Sequence, residues 1–161
     1  MLPIGYTWPT SARKRQLSPD VFVAFAPERA RQSFDAAAEG GFPPFVLEVV
    51  SPSSTDRDEQ EKRQAYDALG VREYALFTPR EGAPSGLTGY RRGARGDFEP
   101  WPADEQGRLW SATLGLFLVA RGALLRAQTA EGELLLTPDE AAEEVARLRR
   151  ELERYRSQGG A

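Results

Sequence analysis

The 161-residue chain contains no histidine and no cysteine. Without histidine, Ser-His-Asp and Cys-His catalysis, histidine-ligated zinc and imidazole acid–base chemistry are all excluded. Without cysteine there are no disulfides and no thiolate metal sites, which fits a cytoplasmic location. Lysine is scarce as well: of 21 basic residues only Lys14 and Lys62 are lysines, and the other 19 are arginines. No apolar run approaches the roughly 20 residues needed to cross a bilayer. The opening MLPIGYTWPT lacks the basic-then-apolar layout of a signal peptide. These absences point to a soluble protein with no membrane partner. A reactive site must then be built from carboxylates, Lys, Arg, Tyr, Ser and Thr. Hard oxygen ligands of that kind favour Mg²⁺, Mn²⁺ or Ca²⁺.

The chain is long enough for one core and short for two. Its net charge of -3 gives no general attraction to nucleic acid. The bases are locally clustered, in Arg13-Lys14-Arg15 and Arg91-Arg92; the first is either a phosphate contact or a solvated tail.

Read in order, residues 1–18 show no periodicity and form an N-terminal arm. Pro19-Asp20 leads into a strand over Val21–Phe25, and residues 26–42 make a polar connection. Phe45-Val46-Leu47-Glu48-Val49-Val50, bounded by Pro43-Pro44 and Ser51-Pro52, reads as a buried strand. A helix over Asp56–Leu69 follows, with Thr55 as N-cap, acids in its first turn and Gly70 at its C-terminal end. Glu73–Phe77 is the next strand. Strand, helix, strand at this spacing is a βαβ unit with parallel pairing and a right-handed crossover. Ala123–Gln128 and Glu133–Leu136 flank Glu131-Gly132 as a hairpin. A last helix begins at Thr137-Pro138-Asp139-Glu140 and runs to about Arg156. Its apolar positions Val145, Leu148, Leu152 and Tyr155 alternate by three and four, a coiled-coil seam of under two heptads. The organisation expected is an arm (1–18), a main domain (19–136) and a C-terminal helix (137–157).

Glu48 is the anomaly. A carboxylate in a buried strand costs several kcal/mol unless compensated. Either it faces solvent from an edge strand, or a cation stands beside it. Lys62 lies on the apolar stripe of the helix, at helical spacing from Ala65, Tyr66 and Leu69, where Leu or Ile would be usual. Glu48 sits roughly 10 Å back from the strand end, and Lys62 about 9 Å into a helix that returns antiparallel. The two arrive level. Lys62 otherwise snorkels to solvent or pairs with Asp58. A chain so biased to Arg keeps Lys where a compact point charge is wanted. Asp20, at the mouth of the neighbouring strand, is either a turn residue or a second carboxylate. Two carboxylates on adjacent strands can hold one divalent ion against a phosphate, with a lysine supporting the attacking water. That is the chemistry of metal-assisted phosphodiester hydrolysis. Ser51, Ser53, Ser54 and Thr55 read as turn and cap residues with no base to activate them.

The segments SPDVFVAF and PPFVLEVVSPSSTDRDEQEKRQAYDALGVREYALFTP, with GYRR and GRLWSATLGLFLVARGALLRAQTAEGELLLTPDEA downstream, resemble the bacterial Uma-two family. Those proteins are restriction-endonuclease relatives within the PD-(D/E)XK nuclease superfamily. The resemblance covers roughly Leu17 to Arg150. It implies an α/β (α+β) fold: a mixed sheet flanked by helices, of restriction-endonuclease type, here with a coiled-coil-like C-terminal helix. It further implies DNA as partner and an Mg²⁺ site (Mn²⁺ as alternative), with Asp20, Glu48 and Lys62 catalytic. Asp20, Glu48 and the backbone carbonyl of Val49 or Val50 would hold the metal. The superfamily's lysine usually follows the glutamate by two residues, where this chain has Val50; here it moves to the following helix. Family members carry a longer segment before Pro-Asp, with a helix and a first strand, and residues 1–18 do not read as that pair. The domain is then shortened, completed by a partner, or inactive. Two other functions stay open: a catalytically inactive module that forms a homo-oligomer or binds a partner through the C-terminal helix, and a phosphoesterase acting on a small substrate.

Overall fold

A computed structural model describes residues 4–7, 14–25, 33–51 and 54–158. The elements are β1 (Ile4–Thr7), β2 (Lys14–Leu17), β3 (Val21–Val23), β4 (Phe34–Asp35), β5 (Phe45–Val49), α1 (Asp56–Ala68), β6 (Glu73–Thr78), β7 (Gly86–Arg92), β8 (Phe98–Pro100), β9 (Leu109–Ser111), β10 (Leu116–Arg121), β11 (Leu124–Gln128) and α2 (Pro138–Gln158). Five strands form the central sheet in the order β3-β5-β6-β7-β8. β5 and β6 are parallel and the other neighbours antiparallel. A second sheet runs β11-β10-β9, and a small third one β2-β1-β4. The fold is mixed α+β and of restriction-endonuclease type.

The β5–α1–β6 unit forms as its sequence dictates. Thr55 caps α1, its Oγ1 accepting from the Asp58 N–H at 3.2 Å, and Asp56, Asp58 and Glu59 lie at the positive end of the helix dipole. The helix ends where Gly70 takes φ +81°, a left-handed value open to glycine. The β5 side chains alternate between two cores. Phe45 and Leu47 join Ala75, Trp101, Leu109 and Leu118 between the central and second sheets. Val46 joins Tyr66, Val71, Tyr74 and Leu76 beneath α1. At Gly89 of β7 a Cβ would come within 2.6 Å of the Tyr74 carbonyl oxygen and 3.0 Å of the Trp101 ring, so glycine is what leaves Trp101 room against this strand. The Trp101 indole N–H then reaches the Trp110 carbonyl at 3.1 Å and ties the second sheet down.

Three expectations meet a different structure. The segment read as an arm carries β1 and β2; Arg13 of its basic cluster lies outside the described residues. Residues 26–32 of the expected connection, and Ser53, are likewise outside them. The anticipated hairpin around Glu131-Gly132 is reduced to one bridge, Gln128 to Leu134. β11 pairs instead with β10 over five residue pairs across the Gly122-Ala123 turn. The apolar run of β10 needs partners on both edges, and β11 and β9 supply them. The last helix extends to Gln158. Among the described residues, no helix is long and apolar enough to cross a membrane.

Candidate active site

Strand alternation decides where Glu48 points: it shares the Val46 face, under α1, and is 4% exposed. Its Oε2 accepts from Lys62 Nζ at 2.7 Å and its Oε1 from the Tyr66 hydroxyl at 2.7 Å. Lys62 and Tyr66 are four residues apart, so one face of α1 delivers both donors. The Lys62 side chain remains 43% exposed. The pair is therefore neither a dry ion pair nor a surface one. The cation offsets the burial of Glu48, while water screens part of the attraction.

Asp20 comes from the adjacent strand. β3 pairs antiparallel with β5, Val21 opposite Leu47, and one residue further along that register Asp20 faces Glu48. Asp20 Oδ2 accepts from the Val49 N–H at 2.7 Å, which fixes the carboxylate beside the end of β5. Electrostatics agree. The Tyr66 phenol is pushed far above its ordinary pKa by burial first, then by the negative charge of Glu48 and the hydrogen bond to it, with Asp20 adding in the same direction. Tyr66 thus stays protonated and remains a donor.

A cleft with a cavity volume of about 20 Å³, lined by Glu48, Val49, Lys62 and Tyr74 among others, opens beside these groups. About 10–15 Å³ accommodates one water, so this is room for a water or a small ion. Tyr74 is among its lining residues, and the Tyr74 hydroxyl is buried and has no hydrogen-bond partner among the described residues. A larger depression of about 200 Å³ adjoins it, sharing Glu59 and Leu76. There Arg63 donates to the Tyr90 hydroxyl at 3.1 Å and lies 4.9 Å from that ring's centroid.

Among the described residues, no three acidic side chains gather into a metal cage. The available donors are Asp20, Glu48 and the backbone carbonyl of Val49, all oxygen. Mg²⁺ is commonly held by one or two carboxylates and completed by water and substrate phosphate, so this donor set fits it.

Of the three residues singled out from the sequence, Asp20 stands opposite Glu48 in the β3–β5 register and Lys62 bonds to Glu48 instead of Asp58. Ser51 and Ser54 bond to one another across a turn, as read. Arg92 serves the scaffold: it binds the Val71 and Asp67 carbonyls, forms an ion pair with Asp67 and covers the Phe98 ring. Sequence reasoning placed Tyr66 in the apolar stripe and missed its hydroxyl. The signal available was a tyrosine one helical turn from the inward lysine. Tyr74 gave no signal beyond its place in a strand.

A family model described as "putative restriction endonuclease" matches residues 3–121. No curated protein matches the chain.

Proposed function

The chain belongs to the Uma2 family, and on that premise we propose that it is a metal-dependent endonuclease hydrolysing DNA phosphodiester bonds at Asp20, Glu48 and Lys62. The observation that carries this reading is that Asp20 stands across the strand register from Glu48, while Lys62, one of the chain's two lysines, bonds Glu48 beside a water-sized cleft that both of them line. Asp20, Glu48 and the Val49 carbonyl are the residues that would hold Mg²⁺ or Mn²⁺. A divalent cation at such a position supplies Lewis-acid polarisation of a phosphate oxygen and offsets charge in the transition state.

The protein's own groups do the rest. Lys62 extends from the wall with a side chain open to solvent, so its ammonium can turn from Glu48 towards an attacking water or a phosphate oxygen. Tyr66 holds the Glu48 carboxylate in one orientation while Lys62 moves. Asp20 is held through its Oδ2 by the Val49 N–H, which leaves its other oxygen without that bond. The unpaired Tyr74 hydroxyl offers a hydrogen bond to whatever enters the cleft. Arg63, beside the adjoining depression, is placed to meet backbone phosphates of a bound duplex.

Purified protein with Mg²⁺ or Mn²⁺ is expected to nick or cleave DNA, and Glu48→Gln or Lys62→Ala to lower that rate by at least about a thousandfold. Metal-dependent cleavage that survives both substitutions defeats the assignment. One observation favours a second reading, an inactive module: each Glu48 oxygen is already engaged by a protein donor. Calorimetry separates the two. Heat of Mn²⁺ binding that disappears in Asp20→Asn supports the enzyme, and no heat supports the module.

A further inference from the structure

We infer that α2 is a dimerisation helix whose partner is a second copy of this chain, aligned parallel and in register. The inference stands apart from the reaction proposed above. α2 is capped as an independent element. Thr137 and Glu140 form a capping box, the Thr137 N–H donating to Glu140 Oε2 at 2.8 Å and the Glu140 N–H to Thr137 Oγ1 at 3.2 Å, with Pro138 at the first helical position. Arg126 of β11 grips the same Glu140 carboxylate with both terminal nitrogens, at 3.1 and 2.7 Å, and fixes the helix start to the body. Beyond that anchor its apolar side chains are left in solvent. Val145 is 47% exposed, Leu148 49%, Leu152 50% and Tyr155 66%.

Those four residues fall at successive a and d positions of a heptad, and Ala141 extends the seam one d position back. Val at a with Leu at d, as at 145 and 148, favours two strands over three or four. The flanking charges choose the partner and its direction. The g positions are Glu144 and Glu151, and the e positions after them are Arg149 and Arg156. In a parallel pair, each g residue faces the e residue five further along the other helix. Glu144 then meets Arg149, and Glu151 meets Arg156, on both sides of the seam. In an antiparallel pair, g faces g and e faces e, which sets Glu against Glu and Arg against Arg. A helix with acids along one flank and bases along the other is complementary to itself in one orientation only.

Within one helix Glu144 is held by Arg147, which also approaches Glu151 at 3.6 Å. Such exposed pairs contribute little and exchange readily. Arg149 and Arg156 form no ion pair among the described residues and are available for a partner.

The seam is short, so association is expected to depend on concentration across about 1 to 300 µM in sedimentation of the full chain. Replacing Glu144→Arg with Glu151→Arg is expected to weaken the dimer at least about tenfold, and adding Arg149→Glu and Arg156→Glu to restore it. Orientation is read from cross-linking, which the cysteine-free chain makes unambiguous. Under mild oxidation Val145→Cys and Leu152→Cys are each expected to cross-link to themselves. An antiparallel pair sets a against d, so it would instead join Leu148→Cys to Leu152→Cys, and only when those two variants are mixed. Circular dichroism of each variant reports whether α2 is still helical. A chain that stays monomeric throughout, a charge reversal without effect on a folded helix, or cross-links found only in the mixture overturns the inference.

Discussion

Two buried glutamates stand on adjacent parallel strands, and they are held in opposite ways. Glu48 of β5 is 4% exposed and Glu73 of β6 is 6% exposed. Glu73 looks away from α1, towards the second sheet. It accepts from the Ser111 hydroxyl and from the backbone N–H groups of Ala112 and Thr113, at the end of β9 and in the turn that follows. Every one of these donors is neutral, and three consecutive residues close around the carboxylate. Glu48 is held by two long side chains from a single helix, one of them a charged lysine whose side chain is 43% exposed, with a second carboxylate across the strand register. A buried acid tied to backbone clamps a fold. One tied to a long, part-exposed cationic side chain can lose that donor to water without leaving a buried donor unpaired. Burial alone does not tell the two apart; the identity of the donors does.

The comparison breaks most sharply under substitution. Glu73→Ala leaves the buried Ser111 hydroxyl and two part-buried N–H groups without their acceptor, which is expected to cost about 3 kcal/mol. For a chain of this size that is a melting temperature lower by about 10 °C. Cleavage per folded molecule should be unchanged. Glu48→Gln is expected to invert that result. The amide keeps the shape and can still accept from Tyr66, and Lys62 can turn to water, so the loss of stability stays within about 1 kcal/mol while cleavage is lost. Thermal melts and rates measured on the same two preparations check both halves. A Glu73 variant that melts normally, or a Glu48→Gln variant that unfolds, reverses the assignment of roles.

The sequence showed one of these acids and hid the other, for a physical reason. Glu48 stood out because its neighbours in the run are apolar and because Lys62 interrupted a helical stripe at a matching depth. Periodicity carries that kind of information. Glu73 opens its strand, where an acid is unremarkable, and its partners lie 38 to 40 residues downstream in a turn. Nothing in local spacing reports a contact so remote. The same limit explains the hairpin. Gly132 gives a turn signal as good as Gly122, and only the competition for the edge of β10 decides between them. It explains β1 and β2 as well: short strands in a segment without alternation give no pattern to read. The βαβ unit and both helices were legible because capping and periodicity are local.

A smaller effect separates the two donors to Glu48. Tyr66→Phe keeps the buried ring and removes one hydrogen bond to a charged acceptor, a loss of about 1.5–3 kcal/mol. If Tyr66 orients Glu48 while Lys62 exchanges, the rate constant should fall by about tenfold with little change in the Michaelis constant. Equal losses in binding and rate would make the phenol a packing residue like those around Glu73.

The smallest expected effect is on alkaline stability. Burial first, and then the charge of Glu48 with smaller contributions from Glu59 and Tyr90, raises the pKa of the Tyr74 phenol well above its ordinary value; Arg63 opposes the shift. In the unfolded chain that phenol loses its proton near pH 10, so above this pH the unfolded state binds fewer protons than the native one. The contribution is complete below about pH 10 and declines as pH rises. One such group changes the slope by about 1.4 kcal/mol per pH unit. Tyr74→Phe removes the group while sacrificing no hydrogen bond to protein, since its hydroxyl has none among the described residues. Its denaturation midpoint should match that of the parent at pH 8 and fall less steeply between pH 10 and 11. Tyr66→Phe cannot give so clean a result, because it also disturbs Glu48. A Tyr74→Phe variant that is weaker at pH 8 would mean that this hydroxyl already holds a structural water in the cleft, making the wall around Glu48 as closed as the clamp around Glu73.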